Sequence, residues 1–128
     1  MARAERPLDE RGLPEGYPLQ DGWEITPRQT AELCDSGEPM LLLDVREPSE
    51  VAAASLEGAV HVPMGEIKSR LAELDEFADD PVVVFCHLGG RSMQVTAFLK
   101  QQGFEDVRSM AGGIDLWSRD LDPDVPRY

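Results

Sequence analysis

The run Val82-Val83-Val84-Phe85 passes directly into Cys86-His87-Leu88-Gly89-Gly90-Arg91-Ser92, and this junction limits what the chain can fold into. A β-branched and aromatic run with no polar alternation is the pattern of a strand buried on both faces. The two glycines supply a turn. A helical pattern then runs from about Arg91 to Gln102, with Val95, Phe98 and Leu99 on its buried side and Gly103 as its stop. Strand, tight turn and helix in this order belong to a parallel sheet whose crossovers place helices over it.

The rest of the chain repeats the alternation. Trp23-Glu24-Ile25 reads as a short first strand. Thr26, Pro27 and Gln29 are a helix start, with Thr at the N-cap, Pro at the first helical position and Gln at the third. That helix is expected to end near Asp35. Met40 to Val45 is a second buried strand, and Pro48 opens a short helix through about Ala54. Ala59 to Val62 is a third strand. Ile67, Leu71 and Leu74 have helical spacing within Glu66 to Leu74. Val107 to Met110 and Gly113 to about Ser118 give a last strand and a last helix. Residues 1–21 are charged and rich in proline and glycine, so they read as a flexible lead-in. Residues 22–128 form the folded domain, with the tail from Asp120 to Tyr128 lying along its surface. The expected architecture is α/β: a central parallel sheet flanked by short helices on both faces.

The 128 residues suit one such domain. No apolar run is long enough to span a bilayer, and the charged start, Met1 to Arg6, shows no secretory signal. Two cysteines make no disulfide framework, which fits a reduced cytoplasmic setting. The formal net charge of −13 argues against nucleic-acid binding, which needs a basic footprint. The same field repels small anions over most of the surface, so an anion site has to be local.

The cysteine turn is a candidate for that local site. Ligands of open parallel sheets bind beyond the carboxyl ends of the strands, where Cys86 sits. Amides at a helix start, together with the helix dipole, favour negative charge there. Cys86 is therefore read as a reactive nucleophile, against the alternative of an inert buried thiol. His87, Leu88, Gly89, Gly90, Arg91 and Ser92 are the candidate substrate-binding residues, with Arg91 closing the turn and meeting an anionic group. His61, within a strand, reads as structural. Adjacent Cys86 and His87 lack chelating spacing, so no metal site is expected. Cys34 is read as a core or semi-buried thiol, with a resolving cysteine as the alternative. Trp23, Phe104 and Trp117 are read as core.

Four segments together resemble the rhodanese, or sulfurtransferase, family. They are Leu42-Leu43-Asp44-Val45-Arg46-Glu47-Pro48-Ser49-Glu50, Gly58-Ala59-Val60-His61-Val62-Pro63, the loop Cys86 to Ser92, and Gly103-Phe104 with Gly112-Gly113-Ile114 and Trp117. One segment departs: Ala54-Ser55-Leu56 stands where the family usually has Gly-His-Ile. The resemblance implies a single rhodanese-like domain. It also implies that Cys86 takes a sulfane sulfur, from thiosulfate or a persulfide donor, and passes it to a thiophilic acceptor. Asp44 and Arg46 would brace neighbouring loops. No cofactor is implied, because the chemistry resides in one thiol. Transient protein partners fit such a carrier. Phosphatases with a cysteine cradle place one residue more between cysteine and arginine than the four found here, which disfavours phosphate as the ligand. The competing function is a non-catalytic or regulatory protein-binding module on the same fold.

Overall fold

The computed structural model describes residues 5–128. Its elements are β1 (Glu24–Ile25), α1 (Pro27–Asp35), β2 (Leu41–Asp44), α2 (Pro48–Ala53), β3 (Val60–His61), β4 (Val82–Phe85), α3 (Gly90–Gln101), β5 (Val107–Met110) and α4 (Gly113–Asp120). The five strands form one sheet in the order β1-β5-β4-β2-β3, every pairing parallel. β4 is therefore the middle strand. Its alternation splits the core in two: Val82, Val84 and Cys86 face a cluster with Leu41, Leu43, Val95, Leu99 and Val107. Val83 and Phe85 face the other side, with Ile25, Leu42, Met110 and Ile114. Both faces of an uninterrupted apolar run are thus covered, as the sequence predicts.

Helix α1 begins with the expected capping box: Thr26 Oγ1 accepts from the Gln29 amide at 3.1 Å, and Gln29 Oε1 accepts from the Thr26 amide at 3.1 Å. The segment expected as a helix over Glu66 to Leu74 instead forms two 3-10 turns, Met64–Glu66 and Leu71–Phe77. Ile67 and Leu74 still face the core. Apolar spacing over only two turns fits either helical period, so the pattern does not distinguish them. Where the family has Gly-His-Ile, Ala54 and Leu56 are buried in the second cluster, so that departure is absorbed by apolar packing.

Residues 1–4 of the expected flexible lead-in lie outside the described residues. The remainder differs from that expectation. Leu8 and Pro14 form an antiparallel bridge, and Leu13 is wholly buried against Ala111 and Leu116, with Leu8, Tyr17 and Leu19 around them. Tyr17 also donates its hydroxyl to Glu24. Prolines and glycines here build turns that carry spaced apolar anchors. Trp23, expected in the core, is 40% exposed and lies under the Lys100 ammonium at 4.9 Å. Among the described residues, no helix is long and apolar enough to cross a membrane.

Candidate active site

Cys86 follows the last residue of the middle strand and is 1% exposed. Gly89 has φ of +117°, a conformation open mainly to glycine, and it turns the chain back into α3. That turn brings the Gly89 amide to 3.1 Å from Cys86 Sγ and the Ser92 amide to 3.4 Å. The N-cap residue of α3, Gly89, has no side chain to cap the helix. The sulfur accepts the amide of its third residue, the bond an N-cap oxygen ordinarily accepts. The Ser92 hydroxyl lies 3.4 Å from Sγ and 2.7 Å from Ser109 Oγ. Donors converging on one atom at a helix start suit a sulfur that carries negative charge.

Helix α4 holds the same loop from behind. The Ile114 amide donates to the Cys86 carbonyl at 2.9 Å, and the Asp115 amide to the His87 carbonyl at 3.2 Å. Gly113 makes this approach possible: a Cβ there would lie 2.3 Å from the His87 carbonyl oxygen, and its φ is +61°. In the sequence the Gly112-Gly113 pair is legible only as family pattern, and the close approach supplies its physical reason.

A cavity of about 350 Å³ opens over the sulfur, lined by Cys86, His87, Leu88, Gly90, Arg91 and Gln94. Leu88, at 62% exposure, stands at its rim. The His87 ring is stacked on Tyr128 with centroids 4.1 Å apart. Arg91 points its guanidinium at Glu50, with Nη1 to Oε1 at 2.5 Å and Nη2 to Oε2 at 2.9 Å. The guanidinium holds the Glu50 carboxyl well below its usual range, at about 2. Glu50 Oε2 also accepts from the Tyr128 hydroxyl at 2.8 Å.

Arg46 carries the next layer. It is fully buried beside Asp44, with a 2.7 Å ion pair, and donates to the carbonyls of Glu50 and Ala54 and to the Tyr128 oxygen. His61 Nε2 is 2.6 Å from the Arg46 carbonyl, a structural contact. The bracing role implied for Asp44 and Arg46 is what their contacts make. Sequence reasoning misses Glu50 and Tyr128 as site residues. Glu50 enters the sequence reading only as the last residue of the first family segment, and Tyr128 as surface tail; neither carries a local signal of the loop it meets.

Cys34 is exposed near the end of α1, where the sequence suggests a core or semi-buried thiol. It lines a separate cavity of about 450 Å³ with Leu42, Ser55, Leu56, Trp117 and Val125. Partial burial and the neighbouring Asp35 push its thiol up, opposite to what a resolving thiolate needs.

A parallel α/β sheet whose middle strand delivers one cysteine to helix-start amides defines a cysteine-loop protein. The chain belongs to the rhodanese-like domain family, whose model matches residues 26–120. A sulfurtransferase of Allochromatium vinosum is 36% identical over 96 residues, 75% of this chain and 88% of that protein. A human single-domain sulfurtransferase superimposes with a TM-score of 0.66 at 27% identity, over 75% of this chain and 95% of that one. An adenylyltransferase and sulfurtransferase of Zea mays is 31% identical over 129 residues, 97% of this chain but 28% of that protein. The chain thus spans little more than a quarter of the length of that larger relative.

Proposed function

We propose that the chain is a sulfurtransferase in which Cys86 carries the transferred sulfur as a persulfide. The observation that supports this most directly is the convergence of the Gly89 and Ser92 amides on Sγ beneath an open cavity. With thiosulfate as donor, the Cys86 thiolate attacks the outer sulfur. A new S–S bond forms at Sγ, the donor's S–S bond breaks, and sulfite leaves with its electron pair. With cyanide as acceptor, the terminal sulfur departs as thiocyanate and the thiolate is restored. Splitting the transfer in two is covalent catalysis. Amides already aimed at the sulfur hold the anion without reorganising. Of the amides from His87 to Ser92 expected around the anion, those of Gly89 and Ser92 reach the resting sulfur. A protein persulfide can serve as donor in place of thiosulfate, and Leu88 at the rim is suited to such an encounter.

The test is intact mass of the reduced protein after incubation with thiosulfate and, separately, with cysteine persulfide, beside Cys86→Ser. The expected result is a gain of one sulfur in the parent protein, reversed by cyanide and absent in the variant. A gain that persists in Cys86→Ser, or none with either donor, rejects the reading.

A further inference from the structure

The cavity over Cys86 contains one guanidinium, and that guanidinium is committed elsewhere. Arg91 lines the cavity, but its two terminal nitrogens both bond Glu50. Glu50 is 41 residues earlier in the chain. It is held in place by a third and a fourth contact: Oε1 accepts from the Glu47 amide at 3.2 Å, and Oε2 from Tyr128. Tyr128 is itself fixed by the Arg46 guanidinium at 3.0 Å and by its stack on His87. The loop is therefore fastened at both ends by one cluster, at His87 through the ring of Tyr128 and at Arg91 through Glu50.

The charge consequence is specific. The Arg46–Asp44 and Arg91–Glu50 pairs are each matched, so they leave the loop with no net positive charge inside a chain whose formal charge is −13. A dianion entering the cavity meets backbone amides and a guanidinium already satisfied by a carboxylate. To bond Arg91 directly it has to displace Glu50, whose side chain is only 19% exposed and has four donors in place.

We propose that Glu50 is a positioning residue that sets donor specificity: by engaging Arg91 and Tyr128 at the cavity edge, it withholds the guanidinium from small dianionic donors. The site then favours donors recognised by uncharged contacts, with the amides at the sulfur and the exposed Leu88 at the rim. This rests on the sulfur-transfer reading above and names its donor class.

The experiment compares thiosulfate with cysteine persulfide, whose ammonium offsets its carboxylate, in the parent chain, in Glu50→Gln and in Glu50→Gln/Arg91→Ala. In Glu50→Gln the KM for thiosulfate should fall about tenfold, because a hydrogen bond to a charged group becomes available to the donor. The ratio of kcat/KM for thiosulfate to that for cysteine persulfide should rise with it. Removing Arg91 in the double variant should cancel the gain. Tyr128→Phe keeps the His87 stack and drops one bond to Glu50, so it should shift the ratio the same way by less; it also serves if Glu50→Gln does not fold. A folded Glu50→Gln with an unchanged or higher thiosulfate KM overturns the proposal. So does a gain that survives loss of Arg91, which would indicate general loosening of the loop. If the parent chain takes up sulfur from neither donor by mass, the sulfur-transfer reading itself fails and donor selection with it; uptake without the predicted shift fails the specificity role alone.

Discussion

Arg46 shows how much a single buried residue holds at this site. It has no solvent exposure, and its guanidinium bonds Asp44 twice, the carbonyls of Glu50 and Ala54, and the Tyr128 hydroxyl. These partners belong to the end of β2, to α2 and its C-terminal cap, and to the tail. Its plane also lies over the Phe85 ring, one residue before Cys86, at 5.5 Å. Removing one partner of a buried pair strands the other charge, so Arg46→Ala is expected to lose about 3–5 kcal/mol in urea denaturation. Loss within experimental error would mean that Asp44 is solvated and the pair is ornamental. Legibility at this scale follows distance along the chain. Cys86 and its glycines are readable because strand, turn and helix start are adjacent. The Arg91–Glu50 and Arg46–Tyr128 contacts span 41 and 82 residues, and no local pattern marks them. Arg91 reads as an anion contact because its charge is visible in sequence while its partner is not.

At the scale of elements, the loop is a junction between two helices. α3 and its N-cap residue Gly89 supply amides to the sulfur, and α4 supplies amides to the carbonyls of Cys86 and His87. Gly113 is where they meet, since a Cβ there would press into the backbone of the cysteine loop. Gly113→Ala is therefore expected to cost more than about 1 kcal/mol and to slow persulfide formation by displacing the loop. Gly65→Ala is the control: it lacks positive φ, and its Cβ position meets no neighbour within 4 Å. Equal effects of the two substitutions on sulfur uptake would refute the junction role. Element types are readable wherever an apolar run or a capping signal is long enough. The 3-10 turns after β3 are not, because their apolar residues satisfy two periods over a short stretch.

For the whole molecule, the segment before β1 is the main revision. Proline, glycine and charge suggest a flexible lead-in, but composition averages over Leu8, Leu13, Tyr17 and Leu19, which converge on Ala111 and Leu116 beside α4. Ala111 directly precedes the Gly112-Gly113 turn, so this segment supports the back of the loop. Leu13→Ala should cost about 2–5 kcal/mol, measured as a shift of the denaturation midpoint with a single cooperative transition. A near-neutral result would show that residues around Leu13 contribute nothing to the folded body.

The sulfur that caps α3 has a last consequence, which concerns information rather than energy. Because the Gly89 and Ser92 amides bond the atom at which the proposed transfer takes place, the first turn of the helix meets a different acceptor in a thiolate, a persulfide or an oxidised sulfur. Each chemical state presents those two amides with a different acceptor at a different reach. If Cys86 carries sulfur as proposed, the helix start is expected to differ between the loaded and unloaded protein, read as a shift of the Gly89 and Ser92 amide resonances.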